Sequence, residues 1–292
     1  MGSPGMTVQP RFRGARASTW ARPEMRQAGS FCRMDNGLDV AAQAAAGVRK
    51  RVERFEAPQG LDGASLAPAY AFQDAYVAAV GLPVAGYKLA VNGAPQMAHF
   101  GVSEPVSGRL FAGELYENDA VLHKSRFQEI AVEPELAAVM GAGVADLSGP
   151  VDRAAAMEAI DCFRPAIELI DQRGIPMPKV ELAQAIALNV FNAGIVLGAG
   201  RIEPGELDLD GLEVTLDLDG ARVAEARGAA PQHPGDAVAW LIGHLAARGL
   251  RLIPGMVVMC GTHLPLRALA PETGRVEVTM GGLGRVGFTL AE

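Results

Sequence analysis

Cysteine is scarce in this chain of 292 residues, with only Cys32, Cys162 and Cys260. Three thiols with no CxxC spacing argue against a disulfide framework and a thiolate metal site, and fit reduced thiols in a cytoplasmic protein. Long hydrophobic runs are missing too. The longest apolar stretch, Ala183 to Ala199, is interrupted by Gln184, Asn189 and Asn192 and is too polar to span a bilayer. Positive charge is short overall, the net being −7, and what there is lies unevenly. Residues 1–33 hold six arginines against Glu24, so the rest carries 20 basic and 32 acidic side chains, a net of −12. A body so acidic repels nucleic acid and anionic membranes, and neither is expected as a partner.

What the chain has in quantity is aliphatic side chains and turn formers. Hydrophobic residues make up 49%, aromatics only 5%, and there are 35 Gly and 19 Pro. That balance predicts a globular, strand-rich fold with an aliphatic core. Residues 1–36 are expected to be an extension outside the fold, with Met34 as the natural start or the segment unstructured, in preference to a targeting sequence.

A helical N-terminal cap is predicted over 37–84, with one helix at 37–56 and a second at 66–80 capped by Ser65 or Asp62. A strand-rich body follows over 85–292. Gly86 to Val91 reads as a strand, and Ala94 to Phe100 as a turn or two of helix. Strand signals recur at 109–110, 120–122, 128–140, 166–170 and 195–197. They return at 212–218 and 221–226, joined by the hairpin pair Asp219-Gly220, then at 256–260, 276–280 and 285–290. Helices are predicted at 151–162 and at 236–248, the second stopped by Gly249.

The chemically suggestive segment is QEIAVEPELAAVM, Gln128 to Met140. Alternate strand residues share a face, so Glu133 and Glu135 point the same way. Two carboxylates this close on an apolar strand need water, a proton or a cation between them. An edge strand with glutamates facing water, closed to pairing by Pro134, accounts for these residues. So does an oxygen-ligand site for a hard divalent cation. Glu168 favours the cation, because it stands alone in the apolar run Pro165 to Ile170 with no polar face to belong to.

Seven segments, in order, resemble the 2-keto-4-pentenoate hydratase and 4-oxalocrotonate decarboxylase family of the fumarylacetoacetate hydrolase superfamily. They are AYAFQ (69–73), GYKLAVN (86–92), FGVSEPVSGRLFAG (100–113), EPEL (133–136), PAIELID (165–171), HPGDAVAWL (233–241) and LRLIPGMVVMCG (250–261). The resemblance implies an α+β fold, a mixed β-roll of the fumarylacetoacetate hydrolase C-terminal type with flanking helices and the helical cap. It implies that Glu133, Glu135 and Glu168 bind Mg²⁺ or Mn²⁺, which chelates a small 2-oxo acid substrate. Lys88 matches the family's strand lysine, with a role in holding substrate carboxylate or moving protons. A cytoplasmic homo-oligomer is implied, with a joint hydratase–decarboxylase complex as a wider option.

The chain departs from the family pattern at several reactive positions. The acidic residue after LFA is Gly113 here, with Glu114 beside it as a substitute. Asn192 stands where a serine contacts substrate or water, and Met256 replaces an aspartate. His263 is a further candidate for substrate binding or acid–base work, or else a surface-loop histidine. Hydration of a 2-hydroxy-2,4-dienoate is the leading expectation. Decarboxylation of a 2-oxo-3-enedioate follows, then acylpyruvate-type C–C hydrolysis, then a non-catalytic partner of such an enzyme.

Overall fold

The computed structural model describes residues 36–61, 65–176 and 180–292; the expectations for residues 1–35 and a cap at Asp62 fall outside them. In chain order the elements are α1 (Asn36–Lys50), α2 (Ala67–Val80), β1 (Val84–Ala90), α3 (Ala94–Phe100), β2 (Val106–Phe111), β3 (Leu115–Glu117) and β4 (Ala120–His123). Then come β5 (Ile130–Met140), α4 (Arg153–Glu158), β6 (Ile160–Asp171), α5 (Leu182–Ala187), β7 (Asn192–Leu197), β8 (Glu213–Leu218) and β9 (Ala221–Arg227). The last are α6 (Pro234–Ala247), β10 (Val257–Thr262), β11 (Arg267–Ala268), β12 (Arg275–Met280) and β13 (Gly284–Ala291). All lie in one unit, Arg33–Glu292.

The strands form two mixed sheets, and the fold is α+β as expected. The larger runs β2-β1-β10-β5-β6-β7-β3, with β11 on β5, and the smaller runs β4-β13-β12-β8-β9. One face of the larger sheet packs on the smaller sheet and on α6. Val132, Leu136, Ala138, Ile167 and Val258 meet Leu216, Val278 and Phe288 from the small sheet and Val238 and Leu241 from α6. The opposite face of β5 bears Ala131, Glu133, Glu135 and Ala137, so strand alternation separates core from carboxylates. The helices α1, α2 and α5 bury their own apolar cluster, including Ala42, Ala46, Phe72, Tyr76 and Ile186, against Val106 and Phe111 of β2.

β5 lies between β10 and β6, which removes the edge-strand reading of its glutamates. Pro134 is tolerated in this central strand because β10 bulges opposite it, the register shifting between Met259 and Thr262. The Pro134 carbonyl still accepts from the His263 N–H at 2.9 Å.

Two predicted helices are too long. The first ends at Lys50, not near 56, and α4 stops at Glu158 because Ile160 and Cys162 are taken into the ladder with β5. Ala-rich local preference yields there to strand pairing. Ser65 supports α2 only as an acceptor of the Ala67 N–H at 3.3 Å. The helix α5 (Leu182–Ala187) overlaps the start of the Ala183–Ala199 stretch, for which no helix was predicted.

The parallel contact of β1 with β10 depends on Gly86, which lies opposite Val257. A Cβ there would drive into the Val257 backbone carbonyl. Gly86→Ala is therefore expected to destabilise by about 1–3 kcal/mol or more through overpacking, read as a lower urea midpoint at unchanged slope.

Candidate metal centre

Register brings the three glutamates together. Glu133 on β5 pairs directly with Glu168 on β6, and Glu135 pairs with Ala166 on the same face. One carboxylate oxygen from each of Glu133, Glu135 and Glu168 lies within 4.8 Å of the others. Glu135 and Glu168 are buried, while Glu133 is partly open. Lys88 reaches the group from β1, where Tyr87 and Leu89 point to the main core and Lys88 to the carboxylate face. Its Nζ is 2.8 Å from Glu168 Oε1 and 3.4 Å from the Val190 carbonyl.

Backbone geometry supplies the rest. The bulge in β10 turns the Gly261 N–H onto Glu135 Oε2 at 2.8 Å, and Gly261 holds φ +106°, a conformation that favours glycine. Asn192 donates from Nδ2 to Glu168 Oε1 at 3.4 Å. Glu168 Oε2 and Asn192 Oδ1 are buried without a hydrogen-bond partner among the described residues.

Charge is out of balance. Three carboxylates face one ammonium in a largely buried region. Burial, opposed by Lys88 and reinforced by Glu168, pushes the Glu133 carboxyl up to about 7. Burial together with Glu168 and Glu133 pushes Glu135 well above the usual carboxylate range. Burial disfavours the Lys88 ammonium, but Glu168, Glu133 and Glu135 together outweigh it and raise its pKa. Oxygen donors on two adjacent strands, with one buried oxygen lacking any donor, fit a hard divalent cation.

Glu133, Glu135 and Lys88 line one end of a cavity of about 180 Å³, with Glu168 buried just behind against Lys88. The remaining lining is mostly apolar, including Phe100, Ile170, Leu182, Val190, Phe191 and Leu266, with Asn92, Gln96 and Gln172 as neutral polar groups.

Two other candidates lie elsewhere. Glu114 sits in a 3-10 turn (112–114) and is captured by Arg49 of α1 at 2.6 Å. It lines a separate cavity with Arg49, Arg126 and Arg173, so it does not replace the missing acid at Gly113 in the carboxylate cavity. His263 is no surface-loop residue. It is 5% exposed, its Nδ1 has no partner among the described residues, and burial lowers its pKa to about 4. Thr262, not His263, lines the cavity. Residue-level reading missed the Gly261 N–H, the Val190 carbonyl and Asn189, which act through backbone geometry or backbone contacts.

The fold and this site define a fumarylacetoacetate hydrolase-type protein: residues 109–291 match the family model "Fumarylacetoacetate (FAA) hydrolase C-terminal". The chain is 30% identical to a 2-oxo-hept-4-ene-1,7-dioate hydratase of Escherichia coli, over 75% of this chain and 84% of that one. It is 29% identical to a 2-hydroxyhexa-2,4-dienoate hydratase of Comamonas testosteroni, over 73% and 81%. The solved 4-oxalocrotonate decarboxylase of Pseudomonas putida G7, complexed with magnesium and adipate, superposes with a TM-score of 0.78 at 24% identity, covering 89% of this chain and 99% of that one. The chain belongs to the 2-keto-4-pentenoate hydratase and 4-oxalocrotonate decarboxylase family. Among the described residues no helix is long and apolar enough to cross a membrane.

Removing the one cation that the cluster has among the described residues leaves the carboxylates unbalanced. Lys88→Met is expected to cost about 3 kcal/mol in EDTA, the low end for breaking a buried pair, because the carboxylates take up protons. K88M/E168Q should recover much of that loss, with both read by urea denaturation.

Proposed function

We propose that the chain is a divalent-metal-dependent hydratase that adds water to a 2-hydroxy-2,4-dienoate to give a 4-hydroxy-2-oxo acid. The observation that supports this most is the convergence of Glu133, Glu135, Glu168 and Lys88 at one end of an otherwise apolar cavity. In this reading the three glutamates hold Mg²⁺ or Mn²⁺. When bound, the cation supplies Lewis-acid polarisation of the substrate's 2-oxo and carboxylate oxygens.

The protein's own groups do the rest. Lys88 presents the one ammonium of the lining among the described residues, placed to hold the substrate carboxylate or to pass a proton. Gly261 N–H holds Glu135 by one oxygen. Asn192, next to Glu168, offers an amide in place of the family's serine hydroxyl. Phe100, Leu182 and Phe191 supply the apolar part of the lining and limit water to what the cavity admits.

The same apolar end weighs against the decarboxylase reading. A 2-oxo-3-enedioate carries a second carboxylate, and no lining cation other than Lys88 is present among the described residues to receive it. Burying an unpaired carboxylate is costly. A cytoplasmic homo-oligomer belongs to the same proposal.

The test is turnover followed by ultraviolet absorbance. With Mg²⁺, 2-hydroxypenta-2,4-dienoate should be consumed with formation of 4-hydroxy-2-oxopentanoate, and EDTA should stop it. Glu133→Gln should lower kcat/KM by about 100-fold or more, as loss of a metal ligand does. The dienoate should be preferred over 4-oxalocrotonate by at least about 10-fold, since 1.4 kcal/mol of uncompensated charge gives that ratio. Release of CO₂ from 4-oxalocrotonate at the higher rate would replace hydratase by decarboxylase.

A further inference from the structure

Between α5 and β7 three successive residues have left-handed backbone: Asn189 at φ 57°, Val190 at 49° and Phe191 at 56°. None is glycine, and Val190 is β-branched, the kind of residue least suited to that region. Such strain persists only where the surroundings over-determine it.

A single carboxamide does much of that here. Asn189 is fully buried; its Oδ1 accepts from the Arg109 backbone N–H at 2.7 Å, and its Nδ2 donates to the Arg109 carbonyl at 2.9 Å. β2 is the outermost strand of its sheet, and Arg109 faces Tyr87 of β1 on the inner side. The Asn189 side chain therefore occupies the place of a neighbouring strand, satisfying both groups that the edge would leave open. Two residues earlier, Ser107 is treated likewise by α2, its N–H donating to Tyr70 Oη and its carbonyl accepting from Gln73 Nε2.

The pinned turn carries three parts of the site. The Val190 carbonyl accepts from Lys88 Nζ, Val190 and Phe191 line the cavity, and Asn192 follows with its amide on Glu168. We propose that Asn189 is a positioning residue for Lys88: clamped on the edge of β2, it holds the left-handed turn that aims the Val190 carbonyl at the ammonium. That carbonyl is the second acceptor of Lys88 beside Glu168, and together they fix where the ammonium stands. Alanine lacks both halves of the clamp. Aspartate keeps the acceptor, loses the donor and sets a carboxylate against the Arg109 carbonyl.

The catalytic consequence rests on the role proposed above for Lys88, but the position of Lys88 is measurable without turnover. Full-length protein is acetylated briefly in EDTA, and labelling of Lys88 is quantified by peptide mass spectrometry against Lys124 in the same digest. N189A and N189D should each raise Lys88 labelling relative to Lys124 by at least tenfold, and lower kcat for the dienoate by at least tenfold. Apparent Mg²⁺ affinity should stay within threefold by calorimetry. If N189A fails to fold, N189D carries the same readout. A drop in Tm with Lys88 labelling and kcat as in the wild type makes Asn189 merely structural and overturns the proposal. Raised labelling in a protein whose wild type turns over no dienoate upholds the clamp and removes the hydratase reading instead.

Discussion

Everything at this site follows from placing three carboxylates on the charged face of two adjacent central strands with one ammonium to balance them. At a few ångströms, in the intermediate dielectric of a protein interior, each like-charged pair repels by about 3 kcal/mol. One lysine faces all three, and burial, with Glu168 adding to it, raises the pKa of Glu133 and Glu135. The fold tolerates it because the opposite face of the same strands carries the main apolar core. β5 and β6 are anchored by Val132, Leu136, Ile167 and Leu169, which leaves the other face free to bear charge. The arrangement fits a divalent cation that would complete what Lys88 begins.

The N-terminal helices belong to this arrangement and are more than a cover. The family match begins at residue 109, so Lys88, α1 and α2 lie outside it. Yet Arg49 of α1 donates to the Asn192 carbonyl at 2.8 Å, and the Asn192 amide reaches Glu168. Gln73 of α2 ties the Ser107 carbonyl to that of Ile186 in α5. The open edge of β2 is closed by side chains from both sides, and Lys88 is held next door to that edge. Cap and body are joined by buried polar contacts, which fix position more sharply than apolar packing does.

The centre of the site was legible in the sequence for a physical reason. Strand alternation has period two, so Glu133 and Glu135 had to share a face, and a glutamate inside Pro165–Ile170 had no polar side to turn to. Lys88 in a Gly-bounded apolar strand was visible on the same grounds. Less could be read where register or backbone conformation decides. That Glu133 stands opposite Glu168 is a long-range pairing, and the bulge that delivers the Gly261 N–H leaves only a glycine as its trace. Val151–Cys162 looked helical to its end because Ala-rich sequence is helical until a strand claims it. The left-handed run at Asn189–Phe191 is hidden altogether, since neither Val190 nor Phe191 announces it.

The departures from the family pattern acquire a common meaning in three dimensions. Met256 is packed into the main core, where an aspartate would need a partner. Glu114, the acid nearest the altered position, is neutralised by Arg49, whose other arm fixes the Asn192 backbone. Asn192 itself rests against Glu168. None of these changes replaces one of the three converging carboxylates or Lys88. Altered groups have been drawn into structural contacts around an unaltered charged centre, and the cavity beyond it is walled by Phe100, Leu182 and Phe191. A cavity built this way gathers charge in the glutamates and the lysine and leaves the rest of its lining to apolar shape.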